Sequence, residues 1–471
     1  MRRRAIRGSV VAAGGQGVSM VLRFASNWMV AQLLLPDMLG LAGTVNAVVL
    51  GLQMISDIGV HQNIVQHERD DDAFTDTAFS VSLLRGILLF LMGCALAYPA
   101  AWWYERPELA ALLPFTALSA LLNSAMPTKY ARLSRDMELV RLTLLNLGSH
   151  AIGIAVMVAY AYVFRSVWAL VLGAVVTAGA KWFLSVVAIP GRMNRFAWEP
   201  EAVRDLINFG KWVFLSTLLM YVSRHFDQLV IPKLENMGVA GVYGIAVSLA
   251  MTPLFLGGAV IGQVLFPALA ESKRVDAETF QRRFDKARNV MLPLHIYVCA
   301  GVALGSAPLI RIYKPVYADA AWMCQLLTLS MWFQYLQEAW TQALVAVGDT
   351  RSQAISNAVR VVIMVPLILI GFEVAEVPGL ILGGALGAIS GYAVVGWRIR
   401  RLGLRVFGPD TKAFFVFVIL AGGGAYAPYV IAEQTGVDAL WPQLGIGGAI
   451  GVALSAYLYV KVLPRLRGSA A

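Results

Sequence analysis

A charged cluster stands inside the long apolar stretch from Gly210 to Ala246. Arg224, His225, Asp227 and Gln228 all fall within this stretch. An arginine or aspartate at the centre of a bilayer costs about 2.5–3.5 kcal/mol on insertion scales, so these side chains are expected to face a protein interior or a hydrated cavity. The spacing between Arg224 and Asp227, and between Arg224 and Gln228, places them on one helix face.

A second arginine near the N-terminus repeats this pattern. Arg23 and Asn27 share a helix face in the first apolar stretch, and residues 40–43 (Gly-Leu-Ala-Gly) match residues 238–241 (Gly-Val-Ala-Gly) at an offset of 238 − 40 = 198. Almost the same offset relates Arg23 to Arg224. A guanidinium donates two hydrogen bonds at once to a phosphate, so two repeat-related arginines predict a central cavity that binds an anionic head group. The alternative is a structural ion pair of Arg224 with Asp227.

Other charged residues in the apolar stretches add to this picture. Arg85, Lys181 and Arg360 are placed about two turns from one end of their predicted helices, where they either snorkel to the interface or form a basic funnel that collects substrate. The complete set of candidate substrate-binding residues is Arg23, Asn27, Arg224, Gln228, Arg85, Lys181 and Arg360.

Carboxylates in the same stretches are candidates for ion coupling. Glu338, Asp227 and Asp57 lie in or at the end of predicted membrane helices. Burial raises the pKa of a carboxyl group and a nearby arginine lowers it, and either effect suits the binding of H⁺ or Na⁺. Asp57 also fits the ordinary role of a residue at a helix end.

The elements that hold these residues are membrane helices. Of 471 residues, 58% are hydrophobic and 14% are charged, which excludes an ordinary soluble protein. Apolar runs of about 20 residues recur, and this length crosses a bilayer as a helix. The runs do not alternate with polar residues, so a β-barrel is not expected.

The pattern therefore predicts an all-α polytopic membrane protein with about fourteen transmembrane helices. Spans 1–6 and 7–12 are predicted to form two parallel six-helix bundles. The evidence for this repeat is that Ser119 and Asn123 in span 4 match Ser330 and Gln334 in span 10. The predicted domains are residues 1–190, 191–400 and 401–471, the last holding two extra helices. The predicted spans are about 10–34, 39–57, 78–100, 109–127, 143–164, 167–189, 209–231, 239–267, 287–310, 319–346, 354–371, 376–396, 413–431 and 443–463.

The basic residues set the predicted orientation. With both termini in the cytoplasm, most of the 38 lysines and arginines fall in cytoplasmic segments, as the positive-inside rule requires. The expected location is the bacterial cytoplasmic (inner) membrane. The net charge of +10 is scattered over short loops, so it favours contact with membrane lipid and argues against nucleic-acid binding.

Motifs for catalysis, metals and cofactors are missing from the sequence. Cys94, Cys299 and Cys324 are far apart, so neither a metal site nor a disulfide framework is expected. No phosphate-binding glycine loop, zinc-protease motif or nucleophile elbow occurs. We therefore expect no enzymatic activity and no cofactor apart from a coupling ion.

Three ordered motifs resemble those of Wzx-like polysaccharide flippases. They are M-I-S-D-I-G-V-H-Q-N-I-V-Q with D-T-A-F-S-V-S-L-L-R-G (54–66 and 76–86), Y-V-S-R-H-F-D-Q-L-V-I-P-K-L (221–234) and A-L-V-A-V-G-D-T-R-S-Q (343–353). His225 and the lysine after Pro232 depart from the family pattern. This family belongs to the multidrug/oligosaccharidyl-lipid/polysaccharide exporter superfamily.

The resemblance implies alternating access by two six-helix bundles. It also implies transfer of undecaprenyl-diphosphate-linked oligosaccharide units for polysaccharide synthesis, with a polysaccharide polymerase and a chain-length regulator as possible partners. Two alternatives stay open. One is a cation-coupled small-molecule or drug antiporter of the same superfamily, and the other is a membrane polysaccharide polymerase or ligase, for which the chain lacks a long external loop.

Overall fold

The computed structural model is mostly helical over the residues that it describes, and it contains no strand among them. It describes residues 2–56, 64, 71–136, 138–261, 269, 277–349, 351–435 and 438–462. Within these ranges nine helices are long and apolar enough to cross a membrane, or ten if one bent pair forms a single span. Every predicted span has a helical counterpart, so the predicted fold class, an all-α polytopic membrane protein, is confirmed.

The helices, in chain order, are α1 (Arg2–Leu33), α2 (Pro36–Ile55), α3 (Asp72–Trp103), α4 (Leu109–Ser124), α5 (Thr128–Arg135), α6 (Leu139–Phe164), α7 (Trp168–Ala188), α8 (Pro200–Leu234), α9 (Met237–Ala250), α10 (Thr252–Val260), α11 (Ala277–Ile310), α12 (Ala320–Ala346), α13 (Arg351–Arg401), α14 (Phe407–Thr435) and α15 (Leu440–Tyr457).

One predicted span is broken in the structure, and two others are joined by a very short turn. The span predicted over 239–267 breaks at Met251, because Pro253 at the start of α10 has no N–H to donate to the preceding turn. The two spans predicted over 354–396 correspond to α13, which is two helices joined at Ala375 and Glu376. Glu376 has a φ of 50°, which reverses the chain direction in a very short turn.

The chain forms two compact units, Met1–Gly241 and Val242–Ala471. The division of the internal repeat at residue 190 stays a prediction. We call the end of the first unit that holds residues 124–138 and 189–199 the linker end. The end that holds residues 34–36, 104–108 and 235–236 is the far end.

In the first unit, α3 and α4 pack at very short range. A Cβ added to Gly86 would lie 2.4 Å from Cβ of Ser124, and one added to Gly93 would lie 2.5 Å from Cβ of Ala117. Glycine therefore allows the two helix backbones to approach closely. The packing fixes which side chains of α3 and α4 lie opposite each other along the two helices.

The segment 189–199 is bound to α3 at the linker end. Asp76, which is 5% exposed, accepts hydrogen bonds from Asn194 Nδ2 at 3.0 Å and from Arg192 Nη2 at 2.5 Å. Ser80 Oγ accepts from the backbone N–H of Ala197 at 2.9 Å. These bonds satisfy a buried carboxylate and fix the chain that leads into α8.

In the second unit, aromatic side chains fill the space between α11, α12, α13 and α14. Trp332 is fully buried and stacks on Phe417 at 4.9 Å between ring centroids, and Trp340 lies 5.0 Å from Phe284. Asp410 on α14 is 2% exposed and accepts a hydrogen bond from Trp340 Nε1 at 2.9 Å. This core ties the first turn of α14 to α12.

Candidate functional site: a basic cavity in the first unit

The first unit contains a cavity of about 390 Å³ toward its linker end. Helices α2, α3, α4, α5 and α7 supply its walls. One side is shaped by the bend of 58° between α4 and α5, where Pro127 precedes α5 in an extended conformation. The lining residues are Leu50, Gln53, Met54, Ile64, Ala78, Phe79, Ser82, Arg85, Ala120, Asn123, Ser124, Met126, Pro127, Thr128, Tyr130, Ala131 and Lys181.

Arg85 enters this cavity from α3 and also touches the last turn of α2. Its Nη2 donates to the backbone oxygen of Gln53 at 2.6 Å, and its Nε donates to Ser56 Oγ at 3.1 Å. The side chain is half-buried. Two bonds to one helix end hold the guanidinium at the cavity wall.

Lys181 enters the same cavity from α7. Its Nζ lies 4.7 Å from the centre of the Tyr130 ring, and the Tyr130 hydroxyl donates to Asn146 Oδ1 of α6 at 2.9 Å. A cation over an aromatic face is attracted by the ring quadrupole. Tyr130 therefore positions Lys181 without neutralising its charge.

Neutral polar groups complete the lining. Asn123 is exposed on α4, and Ser82 Oγ donates to the backbone oxygen of Ser124 at 2.9 Å. Among the described residues that line the cavity, none carries a carboxylate. Two fixed cations beside neutral hydrogen-bonding groups form a site suited to an anion, since charge-assisted hydrogen bonds are shorter and stronger than neutral ones.

The structure brings some of the predicted residues together and leaves others elsewhere. Arg85 and Lys181 line the cavity, whereas Arg23, Asn27 and Arg224 do not. Arg23 lies on α1, which packs against α6, as the close approach of Gly15 to Thr143 shows. The predicted central cavity between Arg23 and Arg224 stays a prediction.

The charged cluster of α8 lies in the first unit, outside the cavity. Asp227 Oδ1 accepts a hydrogen bond from the backbone N–H of Gln228 at 2.9 Å. His225 stacks on Tyr221 at 5.2 Å, and Arg224 is exposed. This cluster occupies one stretch of α8, as the sequence spacing predicts.

Two further candidates lie in the second unit. Arg360 is buried on α13, with 5% of its surface exposed, and Glu338 of α12 accepts a hydrogen bond from Gln342 Nε2 at 3.3 Å. A polar bridge lies nearby, in which Gln337 Nε2 donates to Ser356 Oγ at 2.7 Å. Asp57, the third ion-coupling candidate, lies outside the described residues.

The sequence alone did not identify Ser56 and Asn123 as residues of the site, and it did not predict that Asp410 is buried. Asn123 was identified only as a repeat partner of Gln334. Ser56 directly precedes Asp57 in the motif at 54–66, but its contact with Arg85 depends on how α2 packs on α3. Asp410 follows a Gly-Pro pair just before span 13, which reads as a turn.

Membrane-length helices around a cationic cavity are typical of a transporter for an anionic substrate. The chain belongs to the family described as polysaccharide biosynthesis protein, whose sequence profile matches residues 29–314, more than half of the chain. The resemblance to Wzx-like flippases is thereby confirmed.

Individual relatives agree with this family. The chain is 21% identical to lipopolysaccharide biosynthesis protein WzxC of Escherichia coli over 427 residues, which cover 88% of this chain and 81% of WzxC. It is 24% identical to amylovoran biosynthesis protein AmsL of Erwinia amylovora, over 59% of this chain and 70% of AmsL.

Solved structures share the fold. Lipid II flippase MurJ, in its inward closed conformation, aligns with a TM-score of 0.75 at 12% identity and covers 96% of this chain and 100% of that chain. An inward-facing multidrug resistance MATE transporter aligns with a TM-score of 0.63 at 13% identity, over 84% of this chain and 99% of that chain.

Proposed function

We propose that the protein moves undecaprenyl-diphosphate-linked oligosaccharide from the cytoplasmic to the periplasmic leaflet by alternating access, for exopolysaccharide, capsule or O-antigen synthesis. The observation that carries this proposal is the joint lining of one cavity by Arg85 and Lys181. Together they offer a diphosphate a planar guanidinium and an ammonium point charge. The polyprenyl chain stays in the lipid while the polar head enters the cavity.

The proposed orientation puts both termini in the cytoplasm of a bacterium and the linker end of the first unit on the cytoplasmic side. The concentration of basic residues in the predicted cytoplasmic loops supports it. In this orientation an inside-negative potential favours outward movement of an anion by about 2.3 kcal/mol per charge per 100 mV. Ion coupling at Glu338, Asp227 or Asp57 would then serve mainly to reset the empty carrier with H⁺ or Na⁺.

The antiporter alternative shares the fold but fits the cavity less well. Many drug substrates are cations, and a site for cations is expected to carry carboxylates. The charged lining residues described here are both basic. A polysaccharide polymerase and a chain-length regulator are proposed partners, because the translocated units would be their substrates.

Translocation of a fluorescent lipid-linked oligosaccharide in reconstituted liposomes tests the proposal. We expect Arg85→Gln and Lys181→Gln each to lower the rate about tenfold to a hundredfold, since a hydrogen bond to a charged group contributes about 1.5–3 kcal/mol. Arg282→Gln is the matched control, because Arg282 lies on the exposed surface of α11. Arg23→Gln and Arg224→Gln test the sequence-derived pair in the same assay.

Unchanged rates for both cavity variants, at equal amounts of folded protein, would overturn the role of the cavity. Efflux of cationic drugs together with no movement of the lipid-linked oligosaccharide would favour the antiporter instead.

A further inference from the structure

Helix α2 is held by Arg85 at the linker end. The last carbonyl groups of a helix have no partner within the helix and carry a partial negative charge. Arg85 donates to one of them, the oxygen of Gln53, and to Ser56 Oγ, which itself donates to the oxygen of Leu52 at 2.7 Å. The cation that lines the cavity is therefore also the cap of α2.

At the far end, α2 touches the first turn of α9 backbone to backbone. A Cβ added to Gly40 would lie 1.8 Å from the oxygen of Met237, and one added to Gly241 would lie 1.9 Å from the oxygen of Pro36. Thr44 Oγ1 lies 3.7 Å from Met237 Sδ. All of these residues belong to the first unit, and the contact leaves no room for a side chain.

The body of α2 is packed as one piece between these ends. The Tyr221 hydroxyl donates to the oxygen of Ala47 at 2.7 Å, and its ring lies where a Cβ of Gly51 would be. A helix of this length spans about 30 Å at 1.5 Å per residue. A change at one end of such a helix is transmitted to the other if the helix moves as a rigid element.

We propose that an anion in the cavity competes with α2 for Arg85, and that its binding releases the last turn of α2 and loosens the far-end contact with α9. A phosphate oxygen is a stronger acceptor for a guanidinium than a neutral carbonyl oxygen or a hydroxyl. Ser56 and Gln53 are thus positioning residues for Arg85, and α2 links the cavity to the far end. The inference rests on the proposed function of the cavity as an anion site.

Because coupling between two sites is reciprocal, it is measurable as a change of anion affinity. The probe is inorganic pyrophosphate, added to the full chain in detergent and followed by calorimetry. Ser56→Ala weakens the competing partner of Arg85, so we expect tighter pyrophosphate binding, by about fivefold or more. Ser149→Ala is the control, because the Ser149 hydroxyl bonds only within its own helix region, to the oxygen of Leu145 at 2.9 Å and that of Asn146.

A second variant locks the far end. The native residues Cys94, Cys299 and Cys324 are first replaced. Thr44→Cys and Met237→Cys are then introduced together, and the two new cysteines are oxidised to form a disulfide. We expect pyrophosphate affinity to fall by about fivefold or more and to return on reduction.

The outcomes separate this inference from the proposed function. Pyrophosphate binding that depends on Arg85 but is unchanged by Ser56→Ala and by the disulfide would overturn the inference and leave the cavity as an anion site. Absence of any Arg85-dependent binding would overturn the proposed role of the cavity and the inference with it.

Discussion

Asn123 and Gln334 occupy matching positions of the predicted internal repeat, yet they have different surroundings. Asn123 on α4 is exposed to the basic cavity of the first unit. Gln334 on α12 is half-buried, and its Nε2 donates to Ser330 Oγ of the same helix at 3.0 Å. The same polar sequence pattern thus lies on a cavity wall in one unit and makes a hydrogen bond within its own helix in the other.

The residues around these two positions explain the difference. In the first unit α4 faces Arg85 and Lys181 across the cavity. In the second unit α12 carries Trp332 and Trp340, whose rings fill the corresponding interior. A repeat predicted from sequence therefore predicts shared topology, and the size of the neighbouring side chains decides what fills the space beside each matching position.

The largest expected effect concerns the filled core. Trp332→Ala removes a fully buried ring that stacks on Phe417, and we expect a loss of about 3–5 kcal/mol in the free energy of unfolding. Thermal unfolding in detergent measures it. Trp102→Ala is the control, because Trp102 is 79% exposed within the structure. Equal, small changes in the two variants would show that the second unit does not depend on this packing.

A smaller and more selective effect is expected at the repeat pair. Asn123→Leu replaces a polar cavity group and is expected to lower translocation by about three- to tenfold, as the loss of one hydrogen bond of about 0.5–1.5 kcal/mol predicts. Gln334→Leu removes only a bond within α12, and its translocation rate should stay near that of the unchanged protein. Rates and melting temperatures are measured on the same preparations. Loss of transport in both variants would contradict the assigned difference.

The smallest expected effect concerns two carboxylates outside the membrane-spanning segments. Lys233 Nζ donates to Glu105 at 2.7 Å and lowers the pKa of that carboxyl group. The backbone N–H of Leu440 and the guanidinium of Arg311 do the same for the pKa of Asp438. Such pairs therefore occur in both units.

A lowered folded-state pKa contributes stability above the ordinary carboxyl pKa, and this contribution is lost as the pH falls through the folded-state value. We therefore expect the melting temperature to decrease between about pH 5 and pH 3. Glu105→Gln and Asp438→Asn should each remove part of that decrease, by similar amounts. A pH profile that neither variant alters would show that exposed ion pairs in both units are too well solvated to matter.

The helices themselves could be predicted because bilayer thickness dictates apolar length. The ends of α4, α6 and α12 fall within a few residues of the predicted spans. The break at Met251 was not predicted, although Pro253 is a sequence signal for it.

The candidate site was only partly predictable. Arg85 and Lys181 stood out because charge inside an apolar run is costly. Their meeting in one cavity depends on the close contact of Gly86 with Ser124 and on the bend at Pro127. Both residues are visible in the sequence, but neither shows which side chains the close contact or the bend brings together. Arg23 and Arg224 were predicted from the same cost of placing a charge in an apolar run, but they lie outside that cavity.

The binding of segment 189–199 to α3 bears on how the gene could be engineered. Asp76 and Ser80 hold this stretch through Arg192, Asn194 and the backbone of Ala197. A cut, a tag or an inserted reporter there would leave a buried carboxylate without its donors. Although it reads as a short polar connector, this stretch is a poor place to divide the chain into two co-expressed fragments.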